Sequence, residues 1–176
     1  MRIREIQEKD NNSLFLLIRK SLEDAELNIP GTAYFDESIK AMSEYYKGFP
    51  KRKYFVVVDE NDEVLGGAGF AEFNNDSVAA LQKLYIFEHA RGKGLGCKLV
   101  KIVEEEAKKV GYKKLYLETH HNLSVAINLY KKFACWIGWH SPSHLWESTG
   151  FDGCSAHCRC PWCGYEGMVD SQGNLF

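Results

Sequence analysis

A short glycine-rich segment holds the residues best suited to bind a ligand. It consists of Arg91, Gly92, Lys93, Gly94, Leu95 and Gly96, and we call it the glycine turn. Its alternating glycines let the backbone approach a ligand closely and adopt positive φ at little cost. Because the helix that follows begins with unpaired N–H groups and a positive dipole end, the turn favours an anion such as a pyrophosphate. Arg91 and Lys93 add positive charge at the same place.

The spacing within the glycine turn differs from two familiar nucleotide-binding motifs. It lacks the four-residue gap and the Lys-Ser/Thr ending of a P-loop, and it is not G-x-G-x-x-G. The sequence therefore argues against a nucleoside triphosphatase and against a dinucleotide-dependent dehydrogenase.

The elements around the glycine turn follow from the periodicity of apolar residues. An apolar run, Leu81 to Phe87, predicts a strand before it, and Leu95 to Val110 predicts a helix after it that Gly111 ends. Tight turns between the three middle strands predict an antiparallel meander. The patterns predict strands at 1–7, 54–59, 63–73, 78–87 and 113–119, and helices at about 10–22, 36–46, 95–110 and 124–133.

Length and composition limit the classes of protein to consider. A chain of 176 residues fits one domain with a short appendage. Its net charge of −2 argues against a nucleic-acid partner, which requires a basic surface. The sequence contains no apolar run of membrane-spanning length, and its first residues lack the hydrophobic region of a signal peptide. We therefore expect a cytoplasmic protein with no membrane partner.

The order of the elements and the glycine turn together resemble the GCN5-related N-acetyltransferase (GNAT) superfamily. In that family an Arg/Gln-x-x-Gly-x-Gly/Ala turn holds the pyrophosphate of acetyl-CoA, and the glycine turn matches it at each defining position. Lys83 to Ile86 resembles the pantetheine-binding strand, and Leu117 to Phe133 resembles the second cofactor segment. The resemblance covers about residues 1–133. It implies an α/β (α+β) fold with a mixed, mostly antiparallel central sheet flanked by helices, in the order β-α-α-β-β-β-α-β-α.

The resemblance also implies how acetyl-CoA is bound as a co-substrate. Backbone N–H groups from Gly92 to Gly96 would hold the pyrophosphate, while the strand residues Leu84, Tyr85 and Ile86 would pair with the pantetheine amides. A backbone N–H near Tyr85 or Ile86 would stabilise the negative charge on the thioester oxygen. Asn122 would bond the pantetheine arm, although it could instead cap the next helix.

Two further roles in acetyl transfer need side chains. Tyr130 occupies the family's Leu-Tyr-x-x-x-Gly-Phe position and is the candidate that protonates the coenzyme A thiolate; the alternative is a core tyrosine. A general base would be a carboxylate or an imidazole near a strand end. Glu72 and Glu118 are the carboxylate candidates and His120 and His121 the imidazoles, and each of them could equally be a solvated residue without a role.

Three glycines in the strand at 63–73 call for a separate explanation. Gly66, Gly67 and Gly69 lower strand propensity, so another requirement must favour them. Close approach of a substrate, a β-bulge and packing against a helix are the alternatives.

Residues 134–176 depart from the family pattern, since the expected Gly-Phe is absent and the composition changes to Cys, His, Trp and Ser. We therefore divide the chain into an acetyltransferase core, 1–133, and an atypical C-terminal segment, 134–176. Three interpretations of this segment compete: a zinc site, a metal-free strand pair that completes the sheet, and a reading frame that changed near residue 134. The candidate zinc ligands are Cys154, Cys158, Cys160 and Cys163.

The sequence as a whole predicts an acetyl-CoA-dependent N-acetyltransferase. A primary amine, most simply that of a small molecule, would attack the thioester directly. The alternative is a non-catalytic acyl-CoA-binding or sensing module whose tail contacts another protein. Neither the acceptor nor the oligomeric state, monomer or homodimer, follows from the sequence.

Overall fold

A five-stranded sheet organises the first of the two units into which the chain divides, Met1–Leu117 and Glu118–Phe176. The structure, a computed structural model, describes residues 1–73, 75–117, 119, 123, 125–130, 147–151, 155–159 and 166–170. The strands of the first unit are β1 (Arg2–Glu5), β2 (Lys53–Val58), β3 (Val64–Phe73), β4 (Asn75–Ile86) and β5 (Lys114–Tyr116).

The strands lie in the order in which they occur along the chain. The first four pair antiparallel, and β5 joins the edge of β4 in parallel. A parallel partner requires a crossover, which the helix between β4 and β5 provides. The predicted mixed, mostly antiparallel sheet flanked by helices is therefore confirmed.

Both faces of this sheet are covered, which explains why β2 and β3 are apolar almost throughout. One face carries a core cluster in which Phe55, Val57 and Phe70 pack with the apolar stripe of the helix that follows the glycine turn. The first helix packs against β3 and β4 and buries Leu14 and Ile18. Continuous apolar runs are typical of strands buried on both faces.

The helices of the first unit lie close to their predicted positions. They are α1 (Asn11–Asp24), α2 (Met42–Tyr46) and α3 (Leu95–Lys109), with 3-10 helices at Ala33–Phe35, Glu37–Ala41 and Glu88–Ala90. At the end of α3, Gly111 has a φ of +100°, and the Tyr112 N–H donates to the carbonyl of Ala107. This is the left-handed glycine stop that the sequence predicts.

The helix expected from Asp36 to Tyr46 is divided in two, which corrects the sequence prediction. Asp36 does act as a cap, since its carboxylate accepts from the Ser38 N–H at 2.9 Å. The following 3-10 helix stops at Ala41, where φ is −135° and ψ is 50°. The Ser43 N–H donates to Oδ1 of Asn11 in α1 at 2.9 Å. This tertiary bond takes the place of an intrahelical one, so α2 starts anew against α1.

The described residues of the second unit form a helix at residues 125–130 and three further strands. These are β6 (Glu147–Phe151), β7 (Ser155–Arg159) and β8 (Glu166–Asp170). They pair antiparallel with one another in the order β6-β7-β8, as a separate three-stranded sheet.

Candidate functional site

The end of β4 is displaced by a β-bulge. Gly67 of β3 pairs with Tyr85, and Gly69 pairs with Gln82. A step of two residues along β3 therefore corresponds to a step of three residues along β4. The extra residue lies between Gln82 and Tyr85, where Lys83 has a φ of +51°. A left-handed conformation is uncommon for a residue with a side chain and marks a local constraint. The bulge redirects Leu84 to Ile86, the residues predicted to bind pantetheine.

Beyond this bulge, β4 has an open edge on the side of β5. The ladder between the two strands consists of the pairs Val78 to Ala80 with Lys114 to Tyr116. Within the described part of the first unit, no strand pairs with Leu81 to Ile86 on that side. Backbone N–H and C=O groups on such an edge can bond an extended ligand that adds to the sheet.

The glycine turn follows this open edge closely. After the 3-10 helix Glu88–Ala90, the Nε of Arg91 donates to the carbonyl of Ile86 at 3.1 Å. This bond holds the turn against the end of β4. The structure therefore brings together the two segments that the sequence predicts to bind one cofactor, and their individual contacts with a cofactor stay predictions.

The conformation of the glycine turn explains two of its glycines. Gly92 and Gly94 have φ values of +77° and +72°, and a Cβ atom added to either would meet nothing within 4 Å. Backbone conformation, not space, therefore requires glycine at these positions. Gly94 is the N-cap residue of α3 and has no side chain to bond the first N–H groups of the helix. Those groups point to where an anion would be bound.

The strand glycines of β3 have a different cause. A Cβ atom at Gly67 or Gly69 would come within 2.5 Å of the Tyr54 ring on β2, so both glycines make room for that ring. A Cβ at Gly66 would meet the Tyr85 carbonyl at 2.7 Å. A β-bulge, one of the three expected explanations, does lie opposite these glycines on β4. The room that Gly67 and Gly69 leave for the Tyr54 ring was not among those explanations.

Glu72, one of the predicted bases, is engaged in an ion pair. Its carboxylate accepts from both Nε and Nη2 of Arg52, with Nε at 2.7 Å from Oε2. The Arg52 guanidinium lowers the pKa of Glu72 to about 2. Glu72 pairs with Ala79, whereas Tyr85 lies opposite Gly67, five residues away on β3. At about 3.3 Å per residue this is roughly 17 Å. A weakly basic carboxylate at that distance is a poor candidate for the general base.

Tyr130 lies in the helix at 125–130 and is partly buried. Burial raises the pKa of its hydroxyl to about 12, so the group is protonated near neutral pH. This is the state that a proton donor needs, and the role of Tyr130 stays a prediction. The other predicted residues of this segment, Glu118, His120, His121 and Asn122, lie outside the described residues.

The predicted zinc ligands also lie largely outside the described residues. Cys154, Cys160 and Cys163 are among the residues not described, and Cys158 is described only as part of the strand β7. The described part of the chain contains no group of three or more His, Cys, Asp or Glu side chains that could hold a metal ion. Within that same part, no helix is both long and apolar enough to span a membrane.

Sequence reasoning missed that Tyr54 and Asp36 both bond Lys83, the residue at the bulge. The Tyr54 hydroxyl donates to the Lys83 carbonyl at 2.8 Å, and Nζ of Lys83 lies 2.9 Å from Oδ2 of Asp36. The alternating glycines of β3 were the available signal, since small residues on one strand can accommodate a large ring on its neighbour.

Comparisons of sequence connect this chain with acetyltransferases. The model of the Acetyltransferase (GNAT) family matches residues 19–134. The uncharacterized N-acetyltransferase YjgM of Escherichia coli K12 is 30% identical over 168 residues, which cover 90% of this chain and 89% of that protein. An uncharacterized N-acetyltransferase of Schizosaccharomyces pombe is 28% identical over 125 residues, covering 71% of this chain and 76% of that protein.

Comparisons of structure agree on the fold. An acetyltransferase of the GNAT family from Staphylococcus aureus Mu50 is similar with a TM-score of 0.65 and 19% identity, covering 74% of this chain and 81% of that one. A predicted acetyltransferase from Clostridium acetobutylicum, whose crystal structure was determined with acetyl-CoA, has a TM-score of 0.60 and 17% identity. The match covers 75% of this chain and 87% of the Clostridium protein.

Proposed function

Because the chain belongs to the GNAT family of acetyltransferases, we propose that it transfers the acetyl group of acetyl-CoA to the primary amine of a small molecule. Acyltransferase activity follows from membership of the family and from relatives named as N-acetyltransferases. We propose the co-substrate, the acceptor and the roles of individual residues. We also propose that the protein acts in the cytoplasm as a monomer or homodimer, and that neither nucleic acid nor a membrane is its partner.

The observation that carries the proposal is the open edge of β4 leading directly into the glycine turn. An extended pantetheine arm would add to the edge at Leu84 to Ile86, and the pyrophosphate would meet the N–H groups from Gly92 to Gly96. Arg91 and Lys93 are exposed and add positive charge beside those groups. The similar fold of the Clostridium protein, which binds acetyl-CoA in its crystal structure, supports the same ligand here.

In this proposal the neutral amine of the acceptor attacks the thioester carbon directly. A C–N bond forms and the C–S bond breaks, while a backbone N–H near Tyr85 or Ile86 stabilises the charge that develops on the carbonyl oxygen. The amine loses a proton to a base, and the departing thiolate gains one from Tyr130. Its raised pKa keeps the Tyr130 hydroxyl protonated for this step. The tyrosinate then regains a proton from solvent, and the base releases its proton to solvent. Glu118 is the carboxylate we propose as base, since Arg52 engages Glu72.

Turnover with a panel of amines tests this function. The full chain is incubated with acetyl-CoA and with amino acids, polyamines, aminoglycosides or a peptide with a free N-terminus. Acetylated products are detected by mass spectrometry, because the exposed thiol of Cys97 would react with a thiol reagent. We expect an enzyme-dependent acetylated product from at least one small amine. Acetylation of the peptide alone would overturn the small-molecule acceptor. Binding of acetyl-CoA without any product would favour the sensing module.

A further inference from the structure

The bulge in β4 is supported from the neighbouring strand by one buried tyrosine. We propose that Tyr54 is a positioning residue for the acetyl-CoA site, whose hydroxyl fixes the Lys83 bulge and thereby the direction of Leu84 to Ile86. This inference rests on the proposed function, because it concerns the edge on which pantetheine would bind. Tyr54 itself lies in the core, and its described contact with the open edge is the hydrogen bond to the backbone carbonyl of Lys83.

The surroundings of Tyr54 allow its ring to reach the bulge from within the core. The side chain is 1% exposed, and its hydroxyl donates to the Lys83 carbonyl at 2.8 Å. The ring lies across β3 where Gly67 and Gly69 leave room, and a Cβ at either position would come within 2.5 Å of it. Both glycines weaken the strand intrinsically. Their presence beside this ring indicates that access of Tyr54 to the bulge is the requirement they meet.

The carbonyl that Tyr54 bonds belongs to Lys83, one of the residues in the interruption of the ladder between β3 and β4. The ladder between β3 and β4 is regular from the pair of Glu72 with Ala79 to the pair of Gly69 with Gln82, and it resumes at the pair of Gly67 with Tyr85. Lys83 lies in the interruption with a left-handed backbone. A partly buried carbonyl without a partner is unfavourable, and a non-glycine residue with this backbone conformation is strained. The Tyr54 hydroxyl therefore stabilises a conformation that the local sequence does not favour.

Two additional side-chain contacts stabilise the bulge. Nζ of Lys83 pairs with Asp36 at 2.9 Å, and Asp36 also caps the 3-10 helix Glu37–Ala41. The ring centroids of Tyr46 and Tyr54 lie 5.2 Å apart. The Tyr46 hydroxyl donates to Oε1 of Gln82 at 3.0 Å. Side chains of β2, of α2 and of the residue that caps the 3-10 helix thus hold Gln82 and Lys83.

Tyr54→Phe tests the inference against a matched control. Tyr112→Phe also removes a buried hydroxyl, on a side chain 4% exposed, that donates to a backbone carbonyl, that of Lys51 at 3.2 Å. Both variants are expected to lower the melting temperature similarly. The dissociation constant for acetyl-CoA, measured by calorimetry without an acceptor, should rise about three- to tenfold for Tyr54→Phe, the equivalent of one hydrogen bond. For Tyr112→Phe it should change less than about twofold.

The outcomes separate this inference from the proposed function. If the wild-type chain does not bind acetyl-CoA, the proposed function fails, and the inference with it. If the wild type binds and Tyr54→Phe binds equally well, Tyr54 is only a core residue and the inference alone is overturned. If Tyr54→Phe does not fold, Asp36→Asn serves as the second variant. It weakens the ion pair of Lys83 with a partly exposed carboxylate and changes no residue of the core. Weaker acetyl-CoA binding by that variant supports control by the bulge, and unchanged binding overturns it.

Discussion

Glycines serve two separate purposes at the scale of single residues. In the glycine turn they allow a left-handed backbone in open space, whereas in β3 they leave room for Tyr54. The first purpose was predictable, because alternating glycines before a helix imply positive φ. The second was not, because it depends on which residue of a neighbouring strand lies opposite. Register across strands is a long-range property that one strand's sequence does not contain.

Gly94→Ala is predicted to weaken acetyl-CoA binding beyond its effect on stability. Alanine at a φ of +72° is strained and lowers the free energy of unfolding by about 1 kcal/mol, and it moves the N–H groups that start α3. Gly111→Ala is the matched control, since its φ of +100° lies at the other end of α3 in equally open space. Calorimetry should show weaker binding for Gly94→Ala alone. Equal dissociation constants for the two variants would argue against the glycine turn as the pyrophosphate site.

Glu72→Gln is predicted to leave catalysis nearly intact. A general base contributes about 10²- to 10⁴-fold, so a change in kcat below about threefold would exclude that role.

The carboxylate of Glu72 is 46% exposed, so its loss should cost less than about 1 kcal/mol of unfolding free energy at neutral pH. Because its folded pKa is lowered to about 2 from 4.5, the stabilisation is present above about pH 4.5. It disappears as the pH falls towards 2. Denaturation across this range checks the trend, and a loss of activity in folded Glu72→Gln would restore Glu72 as the base.

Tyr130→Phe is predicted to slow the chemical step by about 100-fold, the usual contribution of a proton donor. Acetyl-CoA binding should be unchanged, because the proposed role concerns only the departing thiolate. Since burial raises the pKa of Tyr130 to about 12, wild-type turnover should show no tyrosine-dependent decline between about pH 8 and about pH 10. Single-turnover measurements of both proteins test this. Equal rates would remove Tyr130 from the mechanism.

At the scale of elements, local signals predicted α3 well and α2 poorly. The limits of α3 follow from residues within or next to it, Gly94 at its start and Gly111 beyond its end. The break before α2 arises from the bond between Ser43 and Asn11, residues 32 positions apart. No local propensity contains such a contact, so the sequence predicted the presence of a helix and not its interruption.

Leu99→Ala is predicted to destabilise the first unit through the packing of α3. Leu99 is fully buried in the cluster that joins α3 to the sheet, so the free energy of unfolding should fall by about 2 to 5 kcal/mol. Lys101→Ala, on the exposed side of the same helix, should change it by less than about 0.5 kcal/mol. Chemical denaturation measures both. A small effect of Leu99→Ala would mean that α3 does not anchor the glycine turn through this core.

At the scale of the whole molecule, the C-terminal segment is where the sequence carried least information. Its cysteines suggested zinc, and its change of composition suggested an altered reading frame. The match to YjgM covers 90% of the chain and therefore extends well past residue 133. Resequencing the source DNA would test the altered reading frame. One of the three interpretations was a strand pair that completes the first sheet, whereas β6, β7 and β8 pair with each other as a three-stranded sheet.

Calorimetric titration of the full chain with acetyl-CoA tests the central claim most directly. The claim is that the open edge of β4 and the glycine turn form one acetyl-CoA site. We expect a single saturable site per chain with a dissociation constant of about 1 to 100 μM, weakened in Gly94→Ala and unchanged in Gly111→Ala. A folded wild-type chain that gives no heat of binding up to about 1 mM acetyl-CoA would contradict the claim.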